Sequence, residues 1–598
     1  MSGARLFLGV ARSARGFAWR DRLGPGREGI ATALAQRLGL PDVLARVVAS
    51  RDVGLDDAQA FLDPTIRAMM PDPRVMTDMV AASDRLAHAA ERGETVAIFG
   101  DYDVDGACSA ALLADYLEAV GARTIIHIPD RIFEGYGPNV AAIDALADEG
   151  ASLLVTVDCG TTSFEPLAHA RARGLDVVVL DHHQAPEILP DANALVNPNR
   201  QDDLSGLGAL CAAGVLFMTL VDLNRTLRAR GRFSDRKAPD LLLGLDLVAL
   251  ATVADVAPLV GLNRAFVRKG CELMRRRGRV GLAALADAAR VSGPPRPYHL
   301  GFLIGPRVNA GGRIGDAALG ARLLRESDPT EAARIAQQLD QLNRERQAIE
   351  VGMLADAEAE AMASLGLDEQ GAVVVTSADG WHPGVVGLVA SRLKERFRRP
   401  AVAIAFMGDV GTGSARSIAG VDLGRAVRAA VEAGVLVKGG GHAMAAGLTV
   451  ERARLGDLRA FLESRLGAAV AAAREVDAME VDGALTARGL TVELVEAIER
   501  AGPFGAGAPE PAFALPRHRI ADVVEVGESH LRVRAVSGDG ASVNAIAFRA
   551  NGAPLGDFLK SRRGETVHLL GHAAIDAYRG ENRAQFRLID AADPATQP

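Results

Sequence analysis

Three short apolar runs in the first third of the chain each end on an acid. TVAIFG (95–100) leads into Asp101, SLLVTV (152–157) into Asp158 and DVVVL (176–180) into Asp181. Helically spaced stretches separate them, ACSAALLADYLEAV (107–120) being the clearest. Short β-branched runs alternating with helical segments predict a parallel α/β sheet. The acids then fall at the carboxyl edge of that sheet, where open α/β folds hold their ligands.

The rest of the chain divides around this pattern. Residues 1–70 read as a helical, polar region that stops at the Pro71–Pro73 turn. A first domain covers 71–327, mainly helical from 205 to 325. Asp328-Pro329-Thr330-Glu331 reads as a capping box with proline at the first helical position. Ile335, Leu339, Leu342, Ile349 and Met353 then recur at roughly helical spacing. A connecting helix over 328–366 would be about 55 Å long and would link two domains across a gap. AVVVTS (372–377) opens a smaller α/β domain, 367–475, that closes on a glycine-dense loop, Lys438-Gly439-Gly440-Gly441-His442. Residues 476–598 comprise a linker and five strands, RIADVVEV, HLRVRAV, SVNAIAF, TVHLLGHAAI and AQFRLI, enough for a small oligonucleotide-binding (OB) type barrel.

A net charge of −8 excludes a globally basic nucleic-acid binder but not a local basic groove. Lysine supplies 5 of the 67 basic residues, so a phosphate site must be built from arginine forks and backbone amides. The four cysteines are far apart, which argues against a disulfide framework and a structural zinc site and fits the cytoplasm. No apolar run reaches the ~20 residues of a membrane helix. The first 20 residues carry four arginines and no acid, faintly like a transit peptide.

Asp101-Tyr102-Asp103-Val104-Asp105-Gly106 also has the opening spacing of an EF-hand loop. The twelfth position, which should be a bidentate Glu, is Leu112, and the motif follows a strand rather than a helix, so calcium is rejected. In an extended segment Asp101, Asp103 and Asp105 would point to one side. Carboxylates so close repel one another unless cations neutralise them. Asp158, Asp181-His182-His183 and Asp255, which ends the run LVALATVAD, extend the set. Asp181 reads either as a helix cap or as a partner for an imidazole, and Cys159 as a packed small residue. Mixed oxygen and nitrogen donors suit Mn²⁺ or Mg²⁺. Shared carboxylates favour two ions roughly 3.5–4 Å apart, an arrangement that hydrolyses phosphate esters.

DYDVDG, VTVDCG, LDHHQ and ATVADVAPL resemble the four ordered motifs of the DHH phosphoesterase superfamily. GPRVNAGGRIGDA (305–317), DGWHPGVVGLVASRL (379–393), GSARS (413–417), GGGHAMAAG (439–447) and GPFGAGAPEPAF (502–513) further resemble the RecJ family of single-strand-specific exonucleases, over about residues 30–590. A match that takes in the N-terminal region sets the transit-peptide reading aside. The resemblance implies an α/β protein: a parallel-sheet DHH domain joined by a long helix to a smaller α/β DHHA1 domain, plus a C-terminal OB-type β-barrel. It implies a two-metal-ion (Mn²⁺ or Mg²⁺) 5′-to-3′ exonuclease that hydrolyses single-stranded DNA to 5′-mononucleotides in recombination and repair. Asp105, Asp158, His182 and Asp255 would hold one ion, and Asp101, Asp103 and Asp158 the other. His183 would face substrate. Ser414, Arg416, Ser417, Gly440, Gly441 and His442 would form a pocket for the DNA 5′ phosphate, and Arg307 and Asn309 would contact the backbone near the scissile bond, with Arg313 a weaker candidate.

In the barrel, His530, Arg532 and Arg534 alternate and so share a face. Phe548 and Phe586 read as barrel core, and Tyr578 as the better stacking candidate beside Arg579. Implied partners are single-stranded DNA, a helicase and single-strand-binding protein, with no membrane, and a monomer is expected. The alternative function is a DHH-family phosphodiesterase acting on short oligoribonucleotides or cyclic dinucleotides, whose members are shorter and lack the barrel. A non-catalytic scaffold of this fold would have lost the carboxylates.

Overall fold

The acid-ended runs become neighbouring strands of one five-stranded parallel sheet in the computed structural model, which describes residues 5–131, 133–366, 370–475, 478–576 and 582–594. The strand order is Arg123–His127, Thr95–Gly100, Leu153–Val157, Asp176–Leu180 and Ala194–Val196. The chain leaves the second position for the edge and then crosses back to the third. The topological switch point therefore lies between the ends of the strands that finish at Gly100 and Val157, the position where this strand order forms its ligand crevice. Ile98, Phe99, Val155 and Val178 are fully buried, as expected of strands covered on both faces.

Contacts divide the chain into two units, Met70–Glu475 and a second made of Met1–Met69 with Val476–Pro598. In the first, LVALATVA is a buried helix, Leu245–Ala254, with Asp255 as its C-cap. The fourth acid therefore does not end a strand. A short apolar run that is buried on every side has no periodicity to separate helix from strand.

The long helix runs Pro329–Leu365. The Asp328 carboxylate caps it through Thr330 N and Glu331 N, at 2.7 and 2.9 Å. The return half of the capping box is missing, because Glu331 instead accepts from Arg334. The helix is also no bare strut. Its buried stripe continues from Ala332 to Leu365, with a polar stretch at Asn343, Arg346 and Glu350. Its second half, from Met353, shares a core with Val374, Val386, Val389 and Ala403 of the smaller domain.

That domain has a mixed sheet in the order Lys438–His442, Ala445–Glu451, Val410–Arg416, Ala401–Met407 and Val374–Asp379, with the last pair parallel. The glycine-dense segment is thus an edge strand rather than a loop. His442 pairs with Ala445 across a two-residue turn. Glycine is required at 441, where φ is +148° and a Cβ would stand 2.3 Å from Ala445 O.

In the second unit the strands Phe513–Val526, His530–Val536, Ser542–Ala547, Arg583–Ala592 and Thr566–Asp576 close into a five-stranded barrel, the last pairing back onto the first. The N-terminal segment belongs to the same unit. Its strand Ala18–Asp21 pairs in parallel with Ala478–Val481, and Leu34, Leu44, Val47 and Leu62 share a core with Phe513, Leu531 and Phe586. Residues 1–70 are therefore neither a separate region nor wholly polar and helical. Their apolar positions face the barrel, a partner more than 400 residues away in sequence.

Candidate metal centre

The switch point brings the aspartates together by three local devices. Asp101 follows the first strand directly, and its Oδ1 accepts from Tyr102 N at 2.8 Å. Asp103 is the N-cap of the helix Val104–Val120 and accepts from Asp105 N and Gly106 N. Asp105 lies in the first turn of that helix, so the three do not line one side of an extended segment. Gly106 makes the tight entry possible, since a Cβ there would meet Asp101 O at 2.3 Å. Asp158 is held at φ +62°, a left-handed conformation that is unusual for an aspartate and typical of sites that aim a side chain.

Two donor groups result. Asp101, Asp103 and Asp158 offer ligand atoms within 4.8 Å of one another, as do Asp105, His182 and Asp255; Asp158, His182 and His183 also meet that span, but there Asp181 engages His183 Nδ1. His182 Nε2 joins the two groups, 3.2 Å from Asp158 Oδ1 and 3.8 Å from both Asp105 Oδ2 and Asp255 Oδ2. His182 Nε2 and Asp158 Oδ1 are buried and, among the described residues, lack hydrogen-bond partners. Burial drives the Asp101, Asp105 and Asp158 carboxyls up, and Asp255 to about 9, with like charges adding to the shift. Burial lowers His182. A buried cluster that resists both its anionic and its cationic forms, and leaves lone pairs aimed at one another, fits divalent cations. The oxygen and nitrogen donors suit Mn²⁺ or Mg²⁺.

Asp105 carries a further constraint. Its two oxygens accept from Ala212 N and Ala213 N, at 2.6 and 2.8 Å, at the start of the helix Ala212–Ala229. Asp181 joins neither group. It accepts from Thr161 N and from the His182 and His183 backbone, and its Oδ1 stands 2.8 Å from His183 Nδ1. Burial opposes charge on this pair, but the hydrogen bond prevails: Asp181 falls well below the carboxylate range and His183 rises to about 9. Cys159 is fully buried.

Sequence reasoning missed several neighbours. Tyr136 OH lies 3.4 Å from both His183 Nδ1 and Asp158 O. Asn197 and Asn199 donate to the His183 and His182 carbonyls and hold the double-histidine turn. Arg131 stacks over the Tyr102 ring. The GYG spacing around Tyr136 and the NPN triplet at 197–199 were the available signals.

The expected phosphate residues separate into those that converge and those that do not. Arg416 Nη1 donates to Ser414 Oγ at 2.9 Å. Both reach the first turn of the helix Val386–Phe397, where a Cβ on Gly387 would stand 3.1 Å from each. Arg416 and His442 occupy strands on either side of Ala445. Gly440 and Gly441 lie on the edge strand, whose outer side has no sheet partner among the described residues, although Gly441 O accepts from Arg428 Nη1 at 2.8 Å. Ser417 turns inward, its Oγ donating to Val421 O. Asn309 Oδ1 accepts from Val104 N at 3.2 Å, beside the aspartate loop. Arg307 is committed to Asp340 and Leu303 O. Among the described residues no carboxylate pairs with Arg131, Arg313 or Arg416, and burial together with the neighbouring arginines pushes Arg313 down to about 10. Such a cluster has the charge and donor geometry that suit an anion such as a phosphate.

In the barrel, His530, Arg532 and Arg534 line one face, with Leu531, Val533 and Ala535 buried on the other. Phe586 is core, but Phe548 is 58% exposed and meets His530 edge-on. Phe548 follows the last residue of its strand and so escapes the inward alternation. Tyr578 and Arg579 lie outside the described residues. Among those residues no helix is long and apolar enough to cross a membrane.

Residues 95–252 match the family model described as the DHH family, N-terminal domain, 370–468 the DHHA1 domain and 481–590 the RecJ OB domain. The chain is 37% identical over 532 residues to the single-stranded-DNA-specific exonuclease RecJ of Dickeya dadantii, covering 86% of this chain and 90% of that protein. It is 37% identical over 574 residues to the same enzyme of Escherichia coli, covering 92% and 96%. The crystal structure of RecJ in complex with Mn²⁺ from Thermus thermophilus superposes with a TM-score of 0.79 at 29% identity, over 96% of this chain and 79% of that one.

Proposed function

Because the chain belongs to the RecJ family of single-stranded-DNA-specific exonucleases, we propose that it removes nucleotides from the 5′ end of single-stranded DNA as 5′-mononucleotides, using two divalent cations, in recombination and repair. The observation that carries this reading is the orphaned pair, Asp158 Oδ1 and His182 Nε2, between two donor groups at the sheet's switch point. Asp101, Asp103 and Asp158 would hold one ion, and Asp105, Asp158, His182 and Asp255 the other. When bound, such ions supply Lewis-acid polarisation of the phosphate and a water made acidic enough to attack near neutral pH.

The remaining work falls to the protein. The left-handed turn at Asp158 directs its carboxylate towards both donor groups. Asp181 engages the Nδ1 edge of His183 and leaves the opposite edge of a half-exposed ring for substrate, so His183 holds a proton that can stabilise the departing oxygen. Arg416, Ser414 and the Gly387 helix turn bind the terminal 5′ phosphate, with Gly440, Gly441 and His442 at its rim. Seating that phosphate fixes which linkage lies over the metals, so cleavage counts from the 5′ end. Asn309 steadies the aspartate loop. Arg307, tied to Asp340, acts on the backbone of the strand only if that pair opens. The protein acts as a cytoplasmic monomer beside a helicase and single-strand-binding protein.

The test uses purified protein with Mn²⁺ or Mg²⁺ and single-stranded oligonucleotides labelled at one end or the other. The expected result is early release of a 5′-labelled mononucleotide from single strands alone, abolished by Asp158→Ala. Survival of long DNA with cleavage of short RNAs would refute it.

A further inference from the structure

Tyr298 and Phe302 stand 61% and 70% exposed on the unit that carries the metal centre. Their rings are stacked, with centroids 5.2 Å apart and planes 25° apart. Two bare aromatic rings side by side forgo a large hydrophobic gain and mark a surface that something covers.

Their place in the chain indicates what does. Tyr298 lies in the short helix Pro297–His299 and Phe302 in the π-helical turn Leu300–Ile304, which runs directly into the helix Gly305–Ile314. π-turns recur at functional sites because the extra residue re-aims side chains. This one is seated on the helix that ends at Asp255: a Cβ on Gly301 would stand 3.2 Å from Val253 Cγ1, and one on Gly305 3.2 Å from Ala254 Cβ. The same helical run then passes Asn309, bonded to the aspartate loop, and Gly312, whose Cβ would stand 2.4 Å from Tyr102 O. One continuous helical run thus carries two exposed rings at its start and borders the metal-binding loop at its end.

We propose that Tyr298 and Phe302 form a stacking platform for bases on the 3′ side of the scissile linkage. The inference rests on the exonuclease reading, which places the 5′ phosphate at Arg416. A single strand is the occupant because every base offers a π-face irrespective of sequence and because the helical run that carries the rings reaches the site where its backbone must lie. A degrading enzyme that advances one nucleotide at a time needs such a sequence-blind hold on the strand still to be cleaved.

The experiment uses the full chain with Mg²⁺ and a 5′-phosphorylated single strand whose linkages are phosphorothioates, so that it survives. A single 2-aminopurine is moved stepwise from the 5′ end. Its fluorescence is expected to fall at one or two consecutive positions. Y298A/F302A should lose that quenching and, on cleavable DNA, raise KM about tenfold with kcat little changed. The ring-retaining Y298F/F302Y should restore both. Quenching that is absent, or unaltered in Y298A/F302A together with an unaltered KM, overturns the platform. A parent protein that shortens no single-stranded DNA would instead overturn the exonuclease reading.

Discussion

His182 Nε2 lies 3.2 Å from Asp158 Oδ1, and among the described residues neither buried atom has a hydrogen-bond partner. Leaving such a group unsatisfied costs about 1–3 kcal/mol, which a shared cation would recover. His182→Ala should therefore weaken Mn²⁺ binding by at least about tenfold. His183→Ala, whose Nδ1 is engaged by Asp181 at 2.8 Å and stands farther, 3.9 Å, from Asp158 Oδ1, should leave Mn²⁺ affinity nearly unchanged and lower kcat about a hundredfold. Calorimetric titration of Mn²⁺ alongside single-turnover cleavage separates the two, and equal losses of affinity would contradict the division of roles.

The second prediction concerns protons. Asp181 raises His183 to about 9 in the metal-free protein. A histidine raised on folding contributes stability that is complete below its unfolded value, ~6.5, and lost as the pH climbs through 9. Asp181→Asn should bring the His183 ring back towards the ordinary histidine range and flatten stability over that window. Ring-proton NMR and thermal melts without metal measure both. An unmoved titration would mean that another group sets the His183 charge.

Arg416 supplies the third. Its fork meets Ser414 Oγ and faces a helix turn, with no carboxylate partner among the described residues. Arg416→Ala should raise KM on 5′-phosphorylated strands roughly 10- to 100-fold, the scale of one charge-assisted phosphate contact of ~1.5–3 kcal/mol. Strands with a 5′-hydroxyl should be much less affected. Arg416→Lys should recover part of the loss, because it keeps the charge without the fork. The same fold-loss on both ends would remove the phosphate from this pocket.

How much of this could be read from the sequence follows from what sets each feature. The acid-ended strands were legible because β-branched runs and helical spacing are local signals. Asp255 was found as an acid but not as a helix cap, because the helix before it is apolar all round. The two donor groups could be named only through the family resemblance, since the turn at Asp103 and the left-handed Asp158 depend on tertiary packing. Tyr136, Arg131 and the asparagines at 197 and 199 were missed because each acts through a neighbour distant in sequence. Ser417 and Arg307 have suitable chemistry, but their hydrogen bonds to Val421 and Asp340 were invisible. The union of the N-terminal segment with the barrel had no sequence signature, since its apolar positions look the same whatever they pack against.

The fourth prediction tests that union at one contact. Trp19 is fully buried, and its Nε1 donates to the buried Asp590 Oδ2 at 3.0 Å. Trp19→Phe keeps most of the packing but leaves the carboxylate without this donor, a loss of about 1–3 kcal/mol. Denaturant unfolding followed in the barrel, far from residue 19 in sequence, should register it. No change there would mean that the strand Ala18–Asp21 is an appendage.

The last prediction concerns how the chain can be cut. Asp482 is fully buried and receives Arg51 at 2.6 Å and Arg22 at 3.2 Å, so each end of the sequence neutralises charge in the other. Deleting 518–598 alone would uncover Leu34, Leu44 and Val47 and leave the N-terminal segment without its core. That protein should aggregate, and its lost activity would say nothing of DNA binding. A chain reduced to residues 70–475 removes both halves of the unit and keeps the metal centre whole. It should bind Mn²⁺ like the parent and cleave very short strands at a similar kcat. Its KM for long strands should rise about tenfold or more, because the face formed by His530, Arg532 and Arg534, with the exposed Phe548 beside it, is gone. Circular dichroism, Mn²⁺ titration and KM on short against long strands decide it: an unchanged KM on long strands would take the barrel out of substrate binding, whereas an unfolded 70–475 chain would show that the two units depend on each other.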